Sequence, residues 1–140
     1  MLSARPPSAE VTLAVAVLQR AIDDATTPDN RLARPRVINT DAGPRHSFTV
    51  GLKPRDREEA VRFLLDMSPG WASSREAWCD AADIVPDLVR RHAIRQIPHS
   101  SIPADLRRAL RLPTPAHAHD ASSQPNAQAL QGAPAMAEAA

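Results

Sequence analysis

Side chains able to act as nucleophile, base or metal ligand are few in this 140-residue chain: one cysteine, five histidines and no tyrosine. A catalytic Cys79 would need an accessible thiol of depressed pKa. It stands instead among Trp78, Ala81 and Ala82, where a helix crossing wants a small apolar group, so packing is the expected role. A single cysteine excludes an intramolecular disulfide framework and any thiolate cluster for zinc, and points to a reducing compartment. His117-Ala118-His119-Asp120 puts two imidazoles and a carboxylate close together, but in a stretch with nothing to form a second shell, so it reads as composition rather than a metal site. His92 and His99 read as a helix residue and a turn residue. Asp23-Asp24 and Glu58-Glu59 are adjacent on helical patterns, and neighbours on a helix point about 100° apart, so neither doublet makes an acid–base pair. Gly43, Gly51, Gly70 and Gly132 are too scattered for a phosphate-binding loop. No catalytic residue and no cofactor is expected.

What remains is arginine, which supplies sixteen of the seventeen basic residues, with Lys53 the exception. The guanidinium suits bidentate contact with phosphate and guanine. A bias toward Arg, Ala and Pro also follows from genome composition, so residue type decides less than distribution. The formal charge of +1 conceals a segregation. Residues 1–30 carry a net −2 and residues 58–85 a net −4, whereas 31–57 carry +5 and 86–112 carry +4. One face meeting phosphate would produce that polarity, and so would ordinary solvated helices.

These groups are positioned by a succession of short elements. Ser8 can cap a helix over Ala9–Ala25, where Val11, Ala14, Val15, Leu18, Ala21, Ile22 and Ala25 recur at helical spacing. Thr27-Pro28-Asp29-Asn30 ends it. Residues 34–52 read either as a short β-ribbon, with Val37-Ile38-Asn39 and Ser47-Phe48-Thr49-Val50 paired across Asp41-Ala42-Gly43-Pro44, or as a basic loop. Pro54 opens a second helix that runs to Met67, and Ser68-Pro69-Gly70 stops it. A last short helix from Ser101 or Ile102, containing Leu106, Ala109 and Leu110, ends before Pro113. From there Ala, Pro, Gln, Ser and Asn dominate, and the stretch is too poor in core-forming residues to offset its ordering entropy. No run approaches the roughly 20 apolar residues of a membrane span.

Between the second and last helices, Ser73–Arg95 reads SSREAWCDAADIVPDLVRRHAIR. Ser73 and Glu76 have capping-box spacing, and Pro86 with Asp87 starts another helix after the break Asp83-Ile84-Val85. Trp78, Ala82, Ile84 and Val89 would form the shared apolar side. This stretch of about twenty residues resembles a helix-turn-helix. It departs from the pattern in having Asp83 where glycine is usual, His92 at an apolar position and Leu88 at a solvent-facing one. The LAVAVLQRAIDDA, REEAVRFLL and WCDAADIVPDLVRR segments are also similar to small uncharacterised bacterial and prophage-type proteins, a likeness that implies no activity.

The scarcity of reactive side chains points to a non-enzymatic protein, and the lone cysteine and lack of a membrane span to the cytoplasm; the resemblance implies binding of double-stranded DNA as a small regulator or phage-related factor. Arg90 and Arg91 would face outward to the major groove near base edges, Arg95 would reach phosphate, and Ser73 and Ser74 would offer helix N-terminal amides to phosphate. Arg34, Arg36 and Arg45 would be a secondary contact, as on the wing beside some helix-turn-helix domains. Useful specificity would call for a homodimer or a protein partner. The alternative is a helical protein-interaction module using a Leu88, Leu106 and Leu110 surface. The expected architecture is mainly α: a flexible N-terminus at 1–8, a small helical bundle over 9–112 with the pair at 73–95, and a disordered tail at 113–140.

Overall fold

The computed structural model describes residues 4–113. The tail expected beyond Pro113, with His117-Ala118-His119-Asp120, lies outside the described residues. Helix α1 spans Ala9–Ala25, the expected bounds, because Ser8 turns the chain into it: its backbone is extended and its hydroxyl accepts the Val11 amide at 3.3 Å. The buried stripe is Ala14, Leu18 and Ala25, with Ala21 and Ile22 half-buried beside it. Val15, expected on that stripe, is exposed, since it lies about 100° from Ala14 and beyond the width the neighbouring helices cover.

Within residues 34–52 the chain forms the ribbon rather than the loop. Strand β1, Pro35–Thr40, pairs antiparallel with β2, Gly43–Phe48, from Pro35 opposite Phe48 to Thr40 opposite Gly43. The turn is only Asp41-Ala42, shorter than expected, because Gly43 takes φ +109° and enters the second strand at once, while Thr40 Oγ1 donates to the Gly43 carbonyl at 2.7 Å. At the base, the Ala33 amide donates to Leu52 and the Thr49 amide to Arg34, at 2.7 and 2.8 Å. Gly51, at φ +140°, packs so closely that an added Cβ would lie 2.5 Å from the Arg31 carbonyl oxygen. The chain is therefore mostly helical with a small antiparallel sheet, and not a bundle of helices alone.

Helix α2 spans Pro54–Leu65 and buries Val61, Leu64 and Leu65 completely. It stops two residues short of Met67 because Asp66 turns extended and its Oδ1 accepts both the Ser68 amide and hydroxyl, at 2.9 and 2.7 Å. Helix α3 spans Pro69–Ala82, so the Ser73–Glu76 capping box does not form. Pro69 has the fixed φ that suits a first helical position, and Ser68-Pro69-Gly70 both ends one helix and begins the next. Helix α4 spans Pro86–Gln96. A separate 3₁₀ turn at His99–Ser101 then directs Ile102 into the core and delays helix α5 to Ala104–Ala109.

Helix α1 lies against α2 and α3, and α4 against the same two. The core between them is aliphatic, and each fully buried Leu or Ile there contributes about 1.5–3 kcal/mol. Arg75 is its charged exception, 3% exposed. The guanidinium donates to the carbonyls of Phe63 at 2.9 Å and Asp66 at 3.0 Å, so it satisfies the C-terminal end of α2, where the helix dipole favours a cation. Arg62 ties α2 to α5 through paired bonds to Asp105 at 3.0 and 3.2 Å. Among the described residues no helix is long and apolar enough to cross a membrane.

Candidate nucleic-acid interface

The α3–α4 junction is closed by a left-handed residue, as its sequence allows. Asp83 has φ 58° and ψ 42°, its amide donates to the Asp80 carbonyl at 3.1 Å, and the Ile84 amide donates to Cys79 at 2.9 Å. Those two bonds make a Schellman cap on α3 with Asp in place of glycine. Ala82, Val89 and Ala93 are buried where the helices meet, and Trp78 and Ile84 pack on the edge of the core. Cys79 is fully buried, and burial pushes its thiol above the ordinary range, opposite to what a nucleophile requires.

Val89, Ala93 and Ile97 hold α4 to the core and so determine which arginines point out. Arg91 and Arg95 lie opposite Val89 and Ala93 and are exposed, as is His92. The Arg91 Nη2 is 2.8 Å from Asp87 Oδ2, one turn earlier on the same exposed face. Arg90 does not face outward as expected. It sits on the flank toward α3, half-buried, with Nε enclosed and without a hydrogen-bond partner. There it borders a hollow of about 180 Å³ with Arg75, Glu76 and Asp87. Burial pushes the Arg75 guanidinium down in pKa, and the neighbouring Arg90 charge acts in the same direction.

Comparison with protein-family models, curated proteins and solved structures finds no match to this chain.

Ser73 and Ser74 are exposed but lie in the second turn of α3, where their amides belong to the helix ladder. The expected N-terminal amide contact is lost with the capping box, and only the hydroxyls are available. Arg36 stands opposite Ser47 and Arg45 opposite Ile38, so the register puts both arginines on one ribbon face, with Arg34 continuing the row. The other face carries Pro35, Val37, His46 and Phe48, and the Lys53 ammonium lies 5.2 Å from the Phe48 ring centroid. Two basic strips result, on different elements. The Leu88, Leu106 and Leu110 surface is not assembled: Leu88 is 57% exposed, while Leu106 is buried and Leu110 packs against the core. Arg75 is a site residue that its charge alone does not announce; its spacing with Cys79 and Ala82, four and seven residues on, is the signal of a shared inward face.

Proposed function

We propose that this chain is a non-enzymatic protein that binds double-stranded DNA through α4, as a small cytoplasmic regulator or phage-related DNA-transaction factor. The observation that carries the reading is the pair Arg91 and Arg95, exposed on the outer face of the second helix of a tightly turned pair. Eleven residues make a helix about 16 Å long, which a major groove about 12 Å wide admits. Arg91 is the base-edge candidate and Arg95 the phosphate contact, with His92 between them. Arg90, half-buried on the flank toward α3, is not among the proposed contacts. Ser73 and Ser74 add hydroxyls toward the backbone, and Arg34, Arg36 and Arg45 are a second candidate strip.

The test is binding of the full chain to random-sequence duplex across a salt series, compared with Arg91→Ala/Arg95→Ala. Affinity should fall steeply with salt, and the double variant should bind more weakly with a salt slope smaller by about 2. Absence of binding at low salt would sink the reading. Val85 and Leu88, 59% and 57% exposed beside the α3–α4 turn, favour a protein partner as the second reading, in which Leu88→Ser outweighs the arginine changes.

A further inference from the structure

Three of the four Phe and Trp side chains line one surface groove at the edge of the core. Trp71 and Trp78, two turns apart on α3, and Phe63 of α2 stand half-buried around a hollow of about 380 Å³, with Ala21 and Ala60 at its side. The rim is acidic: Asp24, Asp56 and Glu59 against Arg20 alone. Arg20 pairs with Asp24 at 3.0 Å and Arg55 with Glu59 at 3.1 Å, while Asp56 has no ion-pair partner among the described residues. Half-exposed tryptophans contribute disproportionately at interfaces, and their faces attract guanidinium groups. The groove therefore fits an arginine-bearing segment with an apolar residue between the charges.

The chain carries such a segment. One face of its ribbon presents Arg36, Ile38 and Arg45 with Arg34 in line, and Ile38 is 39% exposed. Both strands are edges, and a two-stranded ribbon without a partner is only marginally stable in water. The segment leading into it is tied to α2 where Arg57 donates to the Thr27 carbonyl and to Asp29, at 3.0 and 2.7 Å. Asp24 and Asp56, which line the groove, lie within three residues of those anchors. The basic ribbon face and the acidic rim of the groove are complementary in charge, and each copy carries both.

We propose that the protein forms a dimer in which each protomer lays the Arg36–Ile38–Arg45 face of its ribbon into the Trp71–Trp78 groove of the other. Each copy gives and receives the same contact, so the assembly closes. It assigns the ribbon to self-association and leaves α4 outward on both copies. It does not depend on the DNA reading, and its test contains no DNA.

Sedimentation velocity of the full chain over a wide concentration range, at low and high salt, measures it. A monomer–dimer equilibrium weakened by salt is expected, with a blue shift in emission on association because Trp71 and Trp78 are the only tryptophans. Arg36→Glu/Arg45→Glu and Asp56→Arg/Glu59→Arg should each weaken dimerisation about tenfold or more, and an equimolar mixture of the two should recover it, since the exchanged charges then match. Circular dichroism confirms that each variant is folded. A chain that stays monomeric throughout overturns the proposal, as does a dimer that neither variant weakens or that mixing does not restore.

Discussion

Arg75 is a cation serving as a structural group. Replacing it with Met keeps the apolar stem but leaves the Phe63 and Asp66 carbonyls without their donor, which should cost about 2–3 kcal/mol in urea unfolding. Arg75→Lys should recover only part, because a single ammonium does not reproduce the planar fork. Arg90 stands beside it with Nε enclosed and without a partner, so Arg90→Met, which keeps the apolar stem while removing that donor and the like charge, should raise the unfolding midpoint, whereas Arg91→Ala should leave it nearly unchanged. That contrast separates two neighbours the sequence presents as equivalent. Cys79 should react with a thiol reagent only when the chain unfolds, since its sulfur is fully enclosed and its thiolate disfavoured by burial. Fast labelling of the native protein would contradict this.

At the scale of elements, helix starts were legible where a cap or a proline acts within one turn. Ser8, Pro54 and Pro86 each begin the helix their sequence announces. The start of α3 was misread because two local signals compete four residues apart, and Pro69 prevails over the Ser73–Glu76 pattern. The ribbon's register was not legible, since both faces meet solvent and no alternation of apolar residues fixes which face each side chain takes. Backbone conformation makes two predictions here. Asp83→Gly should stabilise by about 1 kcal/mol by removing a left-handed non-glycine residue, read as a higher thermal midpoint. Gly51→Ala should loosen the ribbon base, and faster hydrogen exchange at the Ala33 and Thr49 amides would record it.

For the molecule as a whole, carboxylates join elements distant in sequence. The Arg62 guanidinium holds the Asp105 carboxyl below its usual range. Burial acts to raise Asp66, but the Ser68 hydroxyl and amide together with Arg62 outweigh it and hold that carboxyl low as well. Both groups are depressed in the folded state, so their stabilisation is fully present above the unfolded carboxylate pKa of about 4 and is lost as pH falls through the folded values. The urea midpoint should therefore drop as the solution is acidified below about pH 4, and Asp66→Asn/Asp105→Asn should flatten that drop while lowering stability at pH 7. Charge segregation acts at this scale too. Carboxylates of α1 and α2, Asp24, Asp56 and Glu59, border the aromatic groove, and arginines lie on the ribbon and α4, so salt should affect association more than folding.

By itself, the sequence determined that most of the chain is helical, where α1, α2 and α4 begin, the charge blocks, the scarcity of reactive side chains and the left-handed turn at Asp83. The charge blocks and the scarcity are composition, and the helices and the turn arise from caps, prolines and periodicity acting over about four residues. Tertiary structure alone decided that Arg91 points out while Arg90 is enclosed, that Leu106 is core while Leu88 is surface, and that Arg75 reaches back to close α2. It also decided that the tryptophans line a groove. Periodicity orients a residue relative to its own helix axis, but exposure depends on which other helix covers that flank. That is settled only when segments far apart in the chain pack together.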